Sequence, residues 1–229
     1  MRLKPVTDKI PKCLVEVKGK PLLERVFSNL AEAGVTEFNL VVGYKREIIE
    51  DHFGPEFNGI KINYFVQQEQ LGTAHAVSLV NDFITGGFLI ANADVLAHPK
   101  DYRRIARIDA GEDFSGLMLA RKVEEPWRFG VLKAKGNTVV DIVEKPNPGK
   151  EPSSIINAGV YRFEKGFLDF VLRTELSPRG EYEIVDAIRD YIASGKRVDY
   201  VLCEESCIDI AGMQDLRDAN AMEDAVFPK

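Results

Sequence analysis

The chain is short of cysteine, of histidine and of net positive charge, and it has no long apolar run; each shortage removes a class of protein. Three cysteines in 229 residues, an odd number, cannot build a disulfide framework, and such sparing use fits a reducing compartment. Cys203 and Cys207 lack two further ligands nearby, so buried thiols are expected there rather than half of a metal site. The three histidines, His52, His75 and His98, are scattered without ligand spacing. Serines such as Ser153 and Ser154 have no partnered His and Asp pattern, which leaves a nucleophile triad without support. No apolar run approaches the roughly 20 residues that a membrane span needs, and no leader pattern opens the chain. With 36 acidic against 30 basic residues, net −6, no overall field favours nucleic acid or an anionic membrane. The expectation is a soluble, cytoplasmic protein that must hold any anionic substrate with local lysines, arginines or a metal.

At 45% hydrophobic residues the chain can bury a sizeable core, and its size suits one α/β domain over 1–229. Leu22, Leu23, Val26, Phe27, Leu30 and Ala33 recur at helical spacing and Gly34 supplies a stop, which predicts a helix over 21–33. A buried strand over 38–42, a short helix over 46–52 and a strand over 60–66 follow. A helix over 73–82 then leads to the apolar run 88–91, which ends at Asn92-Ala93-Asp94. This βα alternation predicts a mainly parallel mixed sheet. From 115 the character changes: strands over 115–120, 131–134, 139–143 and 156–163 point to antiparallel pairing, with Gly136-Asn137 as a hairpin turn. Helices over 165–173 and 183–193, a strand over 198–202 and a closing helix over 213–224 complete the chain. There is no internal repeat, and no hexapeptide pattern of a parallel β-helix.

The segment Gln67-Gln68-Glu69-Gln70-Leu71-Gly72-Thr73-Ala74-His75-Ala76 ends one strand and begins a helix, a place where backbone N–H groups can meet a nucleotide or its phosphates. Gly72 suits a turn where backbone approaches a ligand, and the Gln67 amide offers a donor and an acceptor to a base edge. Asp94, just beyond a buried strand, is placed as a Mg²⁺ ligand or as a capping residue. Asp209 closes a short strand before the last helix and is a second acidic candidate. Lys12, presented after Pro11, Arg2 near the N-terminus, and Lys145 between Glu144 and Pro146 are cations able to neutralise phosphates, although each alone reads equally as a surface charge. For Gly130, Glu144, Asn157 and Gly159, turn and strand-end chemistry is the ordinary account, and only their joint order suggests a sugar pocket.

Taken together, Ile10-Pro11-Lys12-Cys13-Leu14, Gly19-Lys20-Pro21-Leu22, the Gln67–Ala76 segment, Glu144-Lys145-Pro146, Asn157-Ala158-Gly159 and Ile208-Asp209-Ile210-Ala211-Gly212 resemble the sugar-1-phosphate nucleotidyltransferases over nearly the whole chain. The resemblance implies a Rossmann-like fold with a nucleotide-binding part over about 1–110 and a sugar-phosphate part over about 111–229. It implies transfer of a nucleotidyl group from a nucleoside triphosphate, UTP or dTTP favoured, to a sugar 1-phosphate. Arg2, Lys12 and Asp94 would be catalytic; Lys12, Gln67, Gly72 and Thr73 would bind the nucleotide; Gly130, Glu144, Lys145 and Asn157 the sugar phosphate; Asp94 and Asp209 the Mg²⁺. A homo-oligomer is expected by analogy alone.

The likeness departs from the family at two places. Met1 stands where the threonine of a Gly-x-Gly-Thr turn belongs, so a first strand and its phosphate cradle are expected to be missing, by a misplaced start or truncation in preference to a natural pseudoenzyme. Asn92-Ala93-Asp94 replaces the Gly-Asp of many relatives. Two competing readings stay open: a noncatalytic sugar-nucleotide-binding regulatory subunit, and a mannose-1-phosphate guanylyltransferase.

Overall fold

The computed structural model describes Leu3 and residues 6–107, 115–204 and 207–222. The chain packs as two compact units, each gathered from separated stretches of sequence. One comprises Met1–Gln68, Asn92–Arg107 and Cys203–Lys229, and the other Glu69–Ala91 with Ile108–Leu202.

In the first unit the amphipathic pattern produces the helix Leu22–Glu32, which buries Leu22, Leu23, Val26, Phe27 and Leu30. Phe27 stacks on Phe38 with ring centroids 4.3 Å apart and is met by Phe53 and Phe57, so one aromatic cluster ties the helix to the sheet. The strand Glu37–Val42, the helix Arg46–Phe53 and the strand Ile60–Val66 form a βαβ unit with parallel pairing. Glu56–Phe57 adds an antiparallel edge to Ile60–Val66.

The helix Pro99–Arg107 escaped the sequence reading. Its sequence PKDYRRIAR carries too few apolar positions for a periodic signal. Yet Tyr102 and Ile105, one turn apart on the same face, are fully buried. His98 sits just before it and its Nδ1 accepts the Lys100 N–H at 3.1 Å, doing for this helix what an N-cap side chain does.

The second unit holds a six-stranded sheet in the spatial order Phe88–Ala91, Ile155–Phe163, Gly116–Lys122, Val198–Leu202, Thr138–Glu144, Gly130–Lys135. The expected mixed α/β architecture is present, with parallel pairing, among the described residues, between Val198–Leu202 and Gly116–Lys122 here and within the βαβ unit. Gly130–Lys135 and Thr138–Glu144 are joined by Gly136-Asn137, too short for the crossover that parallel pairing requires, and so pair antiparallel; Ile155–Phe163 also pairs antiparallel with Gly116–Lys122. The helix expected over 73–82 runs only over Thr73–Ser78, followed by a 3₁₀ turn at Asn81–Phe83. Leu168–Leu172 and Ile184–Ala193 form helices close to expectation. In the first unit the closing helix is Met213–Ala221 with Met222 at its C-cap, and positions 223–224 of the expected 213–224 helix lie outside the described residues.

Of the three free thiols only Cys207 is buried, while Cys13 and Cys203 are partly exposed, because Cys13 sits in a loop turn and Cys203 just past a strand end. No helix among the described residues is long and apolar enough to cross a membrane.

Phe163 anchors the core of the second unit. It is fully buried, stacks on Phe167 at 3.8 Å between centroids and meets the Tyr191 ring edge-on at 5.9 Å. Phe163→Ala is expected to lower unfolding stability by about 3–5 kcal/mol, read from the midpoint shift in urea denaturation at unchanged slope.

Candidate functional site

In the first unit, Pro11 is buried and extended, and it opens a single 3₁₀ turn, Lys12–Leu14, whose buried Leu14 anchors the loop. Bonds from Leu14 N–H to the Pro11 carbonyl and from Val15 N–H to the Lys12 carbonyl close this turn. Lys12 is thereby held outward, its Nζ 2.5 Å from Asp94 Oδ2 and 3.9 Å from Asp209 Oδ1.

The two carboxylates meet because of one short antiparallel ladder. Val95–Ala97 pairs with Cys207–Asp209, with Asp209 opposite Val95, and the Ile210 N–H donates to the Asp94 carbonyl at 2.9 Å. Side chains from two helices hold that ladder from behind: the Tyr102 hydroxyl donates to the Val95 carbonyl at 3.1 Å and Asn29 Nδ2 to the Ala97 carbonyl at 3.0 Å. Both aspartates keep about one-third of their side chain exposed, 35% and 33%, and so remain open to a ligand. Burial pushes the neighbouring Cys13 thiol up to about 11, and the Asp94 charge acts in the same direction. Among the described residues no three His, Cys, Asp or Glu side chains gather into a metal-sized group. Two accessible carboxylates suit Mg²⁺, which takes one or two such groups and completes its octahedron from substrate phosphates and water.

Gln67 follows the Ile60–Val66 strand and its N–H donates to the Val42 carbonyl at 2.8 Å. It therefore stands at the carboxyl edge of the parallel pair, the edge at which such sheets bind ligands.

In the second unit, Glu144 ends its strand opposite Gly130. A Cβ on Gly130 would lie 2.9 Å from Glu144 Oε2, so any side chain there would displace the carboxylate. Lys145 adopts a left-handed conformation at φ 44, fixed by its N–H bond to the Phe129 carbonyl. Lys145 Nζ and Arg179 Nη1 each stand 3.5 Å from Glu144 Oε1. Asn157 lies where the register shifts along Ile155–Phe163, an irregularity that re-aims its side chain. Its Nδ2 donates to the Tyr161 hydroxyl and its Oδ1 accepts the Gly159 N–H at 2.8 Å.

Gly72 and Thr73 have partners that the sequence did not disclose. Gly72 takes φ 110, and a Cβ there would come within 2.4 Å of the Tyr182 carbonyl oxygen; backbone contact this close excludes every other residue. The exposed Thr73 accepts the Ile184 N–H on Oγ1 at 2.9 Å. Since that oxygen is already accepting, its own proton is left to donate to a ligand.

Lys12, Asp94 and Asp209 thus come together in one unit, and Gly130, Glu144, Lys145 and Asn157 gather in the other. Arg2 lies outside the described residues. Sequence reasoning missed Arg179 and Glu183. Arg179 falls between the helices expected over 165–173 and 183–193, and Glu183 was counted only as the first residue of the second.

These features define an α/β protein in which lysines, joined in the second unit by an arginine, stand against carboxylates in each unit. Residues 1–225 match the nucleotidyl transferase family. The chain is 34% identical over 221 residues to the UTP–glucose-1-phosphate uridylyltransferase AglF of Haloferax volcanii, covering 95% of this chain and 90% of AglF. It is 34% identical over 196 residues to the bifunctional protein GlmU of Methanococcus maripaludis, covering 85% of this chain. It spans 45% of that GlmU, about half its length. The solved UDP-glucose pyrophosphorylase complexed with UDP-glucose shares the fold, with a TM-score of 0.84 at 22% identity over 95% of this chain and 91% of that one. The chain belongs to the nucleotidyl transferase family.

Burial raises the Glu144 carboxyl above its ordinary value, with Lys145 and Arg179 only partly opposing the shift. The folded protein therefore holds this proton more tightly than the unfolded chain does, and stability declines as pH rises through the carboxyl range to the raised value. Glu144→Gln removes that ionisation. Thermal denaturation between pH 4 and 8 is expected to show the variant at least as stable as wild type at pH 7–8, with its advantage shrinking toward pH 4.

Proposed function

We propose that this chain transfers a nucleotidyl group from UTP or dTTP to a sugar 1-phosphate, with release of pyrophosphate. Glucose 1-phosphate and N-acetylglucosamine 1-phosphate are the first acceptors to try. The observation that carries this reading is the convergence of Lys12 with Asp94 and Asp209, from three distant stretches of sequence. Likeness to AglF, by name a UTP–glucose-1-phosphate uridylyltransferase, over 90% of its length supports the uridine and glucose choice.

In this reading Asp94 and Asp209 hold the Mg²⁺, which when bound offsets charge on the phosphates and polarises them. Lys12 trades its carboxylate partners for the nucleotide phosphates and stabilises charge that builds in the transition state. Gln67 pairs with the pyrimidine edge, and Thr73 donates its hydroxyl proton to the nucleotide. Lys145 receives the sugar phosphate, and Arg179 joins it as a second cation. Asn157 and Glu144, whose carboxylate lies against Gly130, receive the sugar hydroxyls. The acceptor phosphate oxygen then attacks the α-phosphorus in line as the bond to pyrophosphate breaks. No covalent enzyme intermediate is needed, and positioning supplies most of the rate.

Pyrophosphate release, measured with Mg²⁺ across four nucleoside triphosphates and the 1-phosphates of glucose, N-acetylglucosamine and mannose, tests the reading. Turnover is expected with a uridine or thymidine triphosphate. A folded sample that turns over no pair and binds no nucleotide sugar overturns it. Asp94→Ala is expected to lower kcat by roughly 10³-fold, a loss of several kcal/mol of charge stabilisation. Lys145→Ala is expected to raise KM for the sugar 1-phosphate about 10–100-fold, as loss of a charged hydrogen bond implies, with KM for the nucleotide little changed.

A further inference from the structure

Glu183 is only 7% exposed, and both of its oxygens are engaged. Oε1 accepts from Ser177 Oγ at 2.8 Å and from Arg179 Nε at 2.9 Å, and Oε2 accepts from Arg179 Nη2 at 2.6 Å. A two-point grip of this kind fixes the plane of the guanidinium. It leaves Nη1 as the nitrogen turned toward Glu144, 3.5 Å from Oε1.

The residues on either side of Glu183 are fastened elsewhere. Tyr182 N–H donates to the Leu71 carbonyl at 2.8 Å, Ala74 N–H donates to the Tyr182 carbonyl at 2.9 Å, and Ile184 N–H donates to Thr73 Oγ1 at 2.9 Å. The Gly72 backbone lies against the Tyr182 backbone too closely for a Cβ. Residues 182–184 are therefore clamped to Leu71–Ala74, while the side chain at their centre holds Arg179. These contacts form one continuous link from Gly72–Thr73 through the backbone that carries Glu183 to Arg179.

We propose that Glu183 is a positioning residue that couples the two substrates. Nucleotide bound at Gly72–Thr73 sets the Tyr182–Ile184 backbone, Glu183 turns that setting into a fixed orientation of Arg179, and Arg179 then receives the sugar phosphate. This rests on the function proposed above and adds to it that nucleotide and sugar phosphate bind with positive, reciprocal coupling.

Titration calorimetry tests it, using glucose 1-phosphate with and without a UTP analogue whose α,β-bridge is methylene. In wild type the analogue is expected to tighten glucose 1-phosphate binding within the 5–150-fold range of typical couplings. In Glu183→Gln that enhancement falls below about twofold while the analogue's own affinity holds, an outcome that general loosening of the fold would not give. Ser177→Ala, which removes one donor to the same carboxylate, lowers the enhancement in part. In an Arg179→Ala background, Glu183→Gln adds no further loss, because it acts through the arginine. Undiminished coupling in Glu183→Gln, or additive losses in the double variant, overturns the proposal. Wild type that binds both ligands without coupling overturns this proposal alone, whereas wild type that binds neither overturns the function beneath it.

Discussion

The ammonium of Lys12 allows Asp94 and Asp209 to share one place in a chain of net charge −6. Asp94 just precedes the short ladder and Asp209 ends its other strand, so two like charges are brought near each other. With Lys12 beside them the charge is offset while each side chain stays about one-third exposed, although Asp209 Oδ1 itself is buried. Much of the first unit can be understood from that requirement. The buried Pro11 and Leu14 aim the lysine, the Val95–Ala97 and Cys207–Asp209 ladder sets the aspartates, and Tyr102 and Asn29 bond the ladder's carbonyls so that it cannot slide.

The second unit meets a related problem with fuller burial. Glu144 and Glu183 stand against Lys145 and Arg179, so the charges match pair by pair. Burial still works against the Glu144 charge strongly enough to raise its pKa. Lys145 is held in a left-handed conformation that costs a residue with a side chain of order 1 kcal/mol or more. A carboxylate kept partly desolvated and a lysine held in a left-handed conformation both cost stability, a pattern found where a site is kept for something other than stability.

What could be read from the sequence was what local chemistry dictates. The 3.6-residue period of Leu22 to Ala33 identified its helix, and the apolar runs over 38–42 and 60–66 identified the parallel strands. The end of a strand before Asn92-Ala93-Asp94 marked Asp94 as an edge residue. The helix Pro99–Arg107 was not legible, because the large apolar residues it buries are Tyr102 and Ile105, set among charged residues with a buried Asp101 beside them. The extent of the 73–82 helix was misjudged for a similar reason: its apolar positions continue past Ser78, where the backbone turns to a 3₁₀ form. Arg179 and Glu183 carried no periodic or turn signal strong enough to set them apart from other surface charges.

The sequence by itself determined the α/β character, the order of most elements and the residue types able to carry phosphate chemistry, since hydrophobic period, turn residues and charge are properties of neighbours along the chain. Only the tertiary structure decided which of those residues act together. Lys12 meets Asp94 and Asp209 through a ladder between strands far apart in the sequence, and Thr73 meets Ile184 across a similar distance. Such contacts are selected by the packing of whole elements, where burial and backbone pairing outweigh any preference a single residue can express.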